Sequence, residues 1–134
     1  MKKRDVSTML LAAGAAFGGD VMFEDFEHES YAPWTIEGKA FGSGPAMGTM
    51  PNQMSISGFE GKRLVDSYAG GDASTGSLTS PEFVIEKPYI VFLIGGGGWA
   101  GKTCMNLVID GKVVRTVTGK YTQIGGTEKL SRAF

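Results

Sequence analysis

Cys104-Met105-Asn106-Leu107-Val108-Ile109-Asp110-Gly111-Lys112-Val113-Val114-Arg115-Thr116-Val117 is the stretch that decides the fold class. Two β-prone runs flank Asp110-Gly111, and a two-residue turn of this type, in which both central positions take positive φ, is the strongest short-range signal for a hairpin. The turn predicts a register with Val108 opposite Val113, Asn106 opposite Arg115 and Cys104 opposite Val117. Met105, Leu107 and Ile109 then face the other way with Val114.

Outward from this hairpin the same grammar continues. Short apolar or alternating runs, separated by Gly, Pro, Asn and Asp, predict strands over residues 21–26, 34–41, 64–68, 77–79, 82–85, 89–94, 104–109 and 112–118. No segment has helical periodicity. Residues 89–94 are apolar at every position, the pattern of a central strand covered on both faces. The expected architecture is all-β, an antiparallel jelly-roll-like sandwich, with Trp34 in its core. Three glycine-rich connections, 42–58, 70–76 and 95–98, are candidates for function, because loops on a rigid scaffold carry binding residues.

The bulk properties narrow the chemistry. A chain of 134 residues, 42% hydrophobic and 20% charged, suits one domain able to bury a core. Its net charge of -1 gives no basic footprint for nucleic acid, which is not an expected partner. Cys104 is the single cysteine and His28 the single histidine, so an intrachain disulfide and an N/S metal site are both excluded. Cys104 reads as a buried structural thiol. Lys2, Lys3 and Arg4 precede an apolar, Ala-rich run over residues 9–17, with Ala13 and Ala15 at cleavage-site spacing. Residues 1–18 therefore read as a signal peptide or flexible leader, too short to span a bilayer, and 19–134 as the module. No membrane partner is expected; the expected location is secreted, extracellular or periplasmic.

One motif is refused. Gly96, Gly101, Lys102 and Thr103 fit the phosphate-loop pattern after an apolar run, but nucleotide binding needs a helix to begin at the Lys-Thr pair. The chain instead runs into the 104–109 strand, so nucleotide binding through residues 96–103 is a remote alternative. Glu24, Asp25, Glu27 and Glu29 form an acidic patch; in a 21–26 strand Glu24 and Asp25 alternate onto opposite faces, which reads as a solvated edge rather than a carboxylate pair. Asp66, Asp72 and Glu82 show no recognisable nucleophile or acid setting.

A sugar binder needs an aromatic face and a few fixed hydrogen-bonding groups. Trp99, on a loop after four glycines, with Asn106 and Arg115 presented together, meets that need. Gln53 and Asp72, in the first and second glycine-rich loops, complete the candidate carbohydrate-binding set. No cofactor is assigned; Asp72, Ser74 and Thr75 offer oxygen atoms to calcium but lack EF-hand spacing.

Several ordered blocks carry a resemblance: Phe41-Gly42-Ser43-Gly44-Pro45-Ala46, Gly58-Phe59-Glu60-Gly61-Lys62, Gly70-Gly71-Asp72-Ala73-Ser74-Thr75-Gly76, Leu78-Thr79-Ser80-Pro81, Phe92-Leu93-Ile94-Gly95-Gly96-Gly97-Gly98, Gly101-Lys102-Thr103-Cys104 and Asp110-Gly111-Lys112-Val113-Val114-Arg115. Over residues 23–128 the chain resembles the β-sandwich accessory module of glycoside hydrolase family 32 levanases and β-fructosidases. The resemblance implies a secreted host enzyme acting on fructans, with the module holding fructan polysaccharide or oligosaccharide beside a catalytic glycosidase domain. The propeller segments of such enzymes, Trp-Met-Asn-Asp-Pro-Asn, Arg-Asp-Pro and Glu-Cys, are not in this sequence, so the chain is expected not to be an enzyme. Family members continue past the segment matching Gly125-Gly126-Thr127-Glu128 into further strands, and the sandwich is expected to be incomplete at its C-terminal side. The rival expectation is a structural spacer that packs on a propeller and binds no sugar.

Overall fold

The structure, a computed structural model, describes residues 19–121 and 128–134, together with the backbone of residues 3–7. The described residues form no helix, hence none long and apolar enough to cross a membrane, and they build an all-β fold from short strands. In chain order these are β1 (Lys3–Ser7), β2 (Thr35–Gly38), β3 (Ile56–Ser57), β4 (Gly76–Thr79), β5 (Phe83–Val84), β6 (Phe92–Ile94), β7 (Met105–Ile109), β8 (Lys112–Val117), β9 (Glu128–Lys129) and β10 (Ser131–Ala133). One sheet has four strands in the order β5-β1-β7-β8; the others are the pairs β10-β6, β2-β4 and β3-β9. Of the expected leader at 1–18, the described part is the backbone of β1, which pairs with β5 and β7.

The Asp110-Gly111 hairpin forms as its chemistry demands, with φ of 50° at Asp110 and 75° at Gly111. Val108 pairs with Val113 as expected, but the register then slips at a bulge between Leu107 and Val108, which inserts Val114. Asn106 consequently faces Thr116 rather than Arg115, and Met105 rather than Cys104 faces Val117.

Other expectations need correction. Residues 21–26 form no strand, because Glu24 Oε1 accepts the Phe26 N–H at 2.8 Å and Asp25 Oδ1 accepts the Glu27 N–H at 2.9 Å. Side chains that bond their own backbone offer it an alternative to a sheet ladder. Residues 64–68 contribute a single bridge, Ala46 to Leu64, rather than a strand. Among the described residues β6 is no central strand: it pairs with β10 alone, and Tyr89 ahead of it is exposed. Its run is apolar because Ile90, Phe92 and Ile94 feed a cluster with Met105, Val117 and Ala133. The sheets are not all antiparallel either, since β3 and β9 run parallel. Cys104 is partly rather than fully buried.

The main cluster gathers Phe26, Tyr31, Trp34 and Leu78, with Ile36, Phe41 and Val65 packed against it. Phe26 sits 5.0 Å from Trp34 and 6.4 Å from Tyr31, ring centre to ring centre. Trp34 is buried as expected.

Candidate functional site

Two loops meet over one edge of this cluster. In the first, Met50 N–H donates to Gln53 Oε1 at 2.9 Å and Gln53 N–H returns to the Met50 carbonyl at 3.2 Å, while Asn52 takes the left-handed turn position at φ 63°. Asparagine tolerates that conformation better than most residues. In the second, Ala46 and Leu64 exchange backbone bonds, and Asp66 follows two residues later with only 6% exposure.

Asp66 ties the two loops together. Its Oδ1 accepts from Gln53 Nε2 at 2.9 Å and from the Tyr68 N–H at 3.0 Å. The Tyr68 hydroxyl then crosses back to donate to the Asn52 carbonyl at 3.1 Å. Met50, Pro51, Asn52, Tyr68, Ala69 and Gly71 thereby line an open cavity of about 350 Å³. Its lining combines a tyrosine and an asparagine with smaller, mostly apolar residues.

Electrostatics sharpen the picture. Among the described residues Asp66 Oδ2 is a buried side-chain oxygen with no hydrogen-bond partner. Burial pushes the Asp66 carboxyl above its usual range, partly offset by its bonds from Gln53 and Tyr68. Tyr31, whose hydroxyl donates to the Phe41 carbonyl at 3.0 Å, is pushed up by burial and then by the charge of Asp66. Glu128 is likewise raised, by burial first and then by the negative charges of Asp66 and Asp72.

The sequence-predicted residues fall in two groups. Gln53 buttresses the cavity from behind, and exposed Asp72 directly follows the lining residue Gly71. Trp99 is 48% exposed on a turn where its carbonyl accepts from Lys102 N–H at 3.0 Å and Thr103 N–H at 2.9 Å. No helix starts at Lys102; the chain passes into β7, so the phosphate-loop pattern lacks its helix here. Asn106 Oδ1 is occupied by the Thr116 hydroxyl at 2.8 Å, and Arg115 Nη1 donates to the neighbouring Val114 carbonyl at 2.9 Å. The bulge puts Asn106 and Arg115 on opposite faces, so they do not form a shared polar pair.

Asn52 and Tyr68 were not among the residues singled out from the sequence, and Asp66 was read there only as lacking a catalytic setting. The one available signal was Asp66-Ser67-Tyr68, in which an aspartate two residues before its bonded N–H is a local turn signature. Elsewhere, Glu24, Asp25 and His28 bring ligand atoms within 4.8 Å of one another instead of alternating across a strand. The exposed His28 Nε2 lies 3.4 Å from Oε1 of the largely buried Glu24 side chain.

Over 109 residues, 79% of its length, the chain is 38% identical to a protein of Aspergillus rugulosus provisionally named glycosyl hydrolase ecdE. The similarity is to a hydrolase. The chain spans 16% of the length of that relative. No family model matches the chain, and no solved structure matches it. The expectation that this is not an enzyme is overturned by that relative, whose name points to glycoside hydrolysis. That expectation rested on propeller segments missing from 134 residues, and a stretch aligned to a small part of a longer hydrolase need not contain them.

Proposed function

We propose that the chain is the polysaccharide-holding sandwich of a secreted glycoside hydrolase of the family 32 levanase and β-fructosidase type, jelly-roll-like in arrangement, with a fructan as ligand. The observation that carries the reading is the cavity between residues 50–53 and 68–71, with its Tyr68 ring, Asn52 amide and internally braced walls. Its volume of about 350 Å³ falls at the small end of ligand sites and suits one or two sugar rings. The Tyr68 ring supplies a face for the apolar side of a sugar, and the bonds from Asp66 to both loops reduce the ordering cost of binding. The similarity to a glycosyl hydrolase supports the carbohydrate class of ligand. The fructan assignment rests on the resemblance of the ordered blocks to those of fructan-degrading enzymes.

So small a contact binds weakly, with Kd in roughly the millimolar range. The test is calorimetric titration of the folded chain with levan, inulin and a non-fructan control. Tyr68→Ala is expected to weaken levan binding at least about tenfold, since it removes the ring and the bond to the Asn52 carbonyl. Tyr68→Phe, which keeps the ring, is expected to fall between. A folded wild-type chain that ignores every glycan refutes the reading and leaves the spacer role in its place.

A further inference from the structure

The turn over residues 95–103 shares no residue with the cavity lining, and it holds one aromatic ring in place. The Trp99 backbone is tied at both of its polar groups. Its N–H donates to Thr103 Oγ1 at 3.3 Å, and its carbonyl accepts from the Lys102 and Thr103 N–H groups at 3.0 and 2.9 Å. The glycines before it are tied in turn: Gly98 N–H donates to the Tyr121 carbonyl at 2.8 Å, and Tyr121 N–H donates to the Gly96 carbonyl at 3.2 Å, around a parallel bridge from Gly97 to Tyr121. A Cβ added to Gly97 would sit 2.5 Å from Cζ3 and 2.6 Å from Cε3 of the Trp99 ring, and 2.8 Å from Thr103 Oγ1. The indole therefore packs on bare backbone, in space that glycine alone leaves open, with the Thr103 hydroxyl beside it.

This packing leaves the ring 48% exposed, against 6% for Trp34. A ring already held by its own turn meets a flat apolar surface without the usual ordering cost. Its surroundings say which surface fits. From Gly95 to Thr103 the side chains other than Trp99 are one methyl, one ammonium and one hydroxyl, so the ring stands alone in a low, polar frame. A protein partner needs a contiguous desolvated core, which this frame does not offer. The apolar face of a single sugar ring needs one aromatic ring and a few donors at its rim. Among the described residues, neither the Thr103 hydroxyl nor the Lys102 ammonium donates to another group. The ligand is neutral rather than a phosphate, because the Glu128 carboxylate covers the glycine run: a Cβ on Gly96 would sit 2.5 Å from its Oε2.

We propose that Trp99 is a second carbohydrate-contact surface, a platform on which one neutral sugar ring stacks while Thr103 and Lys102 donate to its hydroxyl oxygens. The ligand class rests on the carbohydrate reading above; the surface shares no residue with the cavity.

The experiment follows the tryptophan emission of the full chain during titration with levan, and compares wild type, Trp99→Ala and Tyr68→Ala by retardation in levan-containing native gels. Circular dichroism melts establish equal folding. Because Trp34 is buried, a ligand-dependent change in emission reports Trp99, and this arm needs no substitution there. The expected result is a saturable emission change that persists in Tyr68→Ala, with a roughly three- to tenfold weaker retardation of Trp99→Ala, as for the loss of one stacked ring. Unchanged emission together with equal retardation of wild type and Trp99→Ala overturns the platform while the cavity reading stands. A loss in Trp99→Ala with none in Tyr68→Ala supports the platform and overturns the cavity. A wild-type chain that ignores levan overturns both.

Discussion

Phe26→Ala is the perturbation that tests the fold most directly. Phe26 is 1% exposed, with its ring against Trp34 at 5.0 Å and Tyr31 at 6.4 Å. It also holds φ 57°, where an L side chain is strained, so burial of the ring is what keeps the chain in that turn. Truncating a buried phenylalanine costs about 3–5 kcal/mol through lost transfer energy and the cavity left behind. Domains of this kind have a total of about 5–15 kcal/mol, so the variant is expected to lose a large share of its stability and, at the low end of that range, to be partly unfolded at room temperature. Phe26→Leu, which fills most of the volume but loses the ring contacts, is expected to cost about 1–2 kcal/mol. Urea unfolding followed by tryptophan emission reads both, because Trp34 loses its apolar surroundings while Trp99 is already half exposed. A midpoint for Phe26→Ala that corresponds to less than about 1 kcal/mol, with unchanged slope, would show that this cluster is not the core and refute the argument.

Two further outcomes follow from single residues. Because burial raises the Asp66 carboxyl above its ordinary 3.8, the folded chain holds that proton more tightly than the unfolded chain does; stability is therefore expected to be greatest at the acid side and to fall as pH rises through the raised pKa. Urea midpoints taken between about pH 4 and 7 should show that decline in wild type and a shallower one in Asp66→Asn, and parallel slopes in the two would contradict it. Gly58 holds φ 80°, and a Cβ there would sit 2.6 Å from the Leu130 carbonyl, so Gly58→Ala is expected to cost more than about 1 kcal/mol and to loosen β3 from β9. Hydrogen exchange at the Leu130 amide reads it, and unchanged protection would count against the close approach.

What the sequence could disclose depended on how local the cause was. The Asp110-Gly111 turn is set by two residues whose backbone needs are written in their types, and the hairpin was legible for that reason. The bulge at Val114 carries no glycine or other marker, so the register beyond Val113, and with it the fate of Asn106 and Arg115, was not. Residues 21–26 have the letters of a strand, but Glu24 and Asp25 turn their oxygens on the backbone instead. The cavity was half legible: Gln53 and Asp72, next to lining residues, belonged to loops already suspected, whereas Tyr68 was assigned to a strand that is not there. β3 and β9 are two residues each, too short to show a pattern, and exist because a distant segment supplies the partner.

That distant pairing has a kinetic consequence. Seating Glu128 beside Ile56 closes a loop of roughly 70 residues, whose entropy must be lost before the contact returns any energy. The Asp110-Gly111 hairpin forms within its own few residues, but the parallel pair must wait until the segment between its strands is largely in place. During synthesis, residues 50–58 leave the ribosome long before residue 128, so β3 cannot find its parallel partner until late. The β3–β9 contact is thus completed last, and any slow folding phase should appear as a delay in protection of the Leu130 amide after most of the other secondary structure has formed.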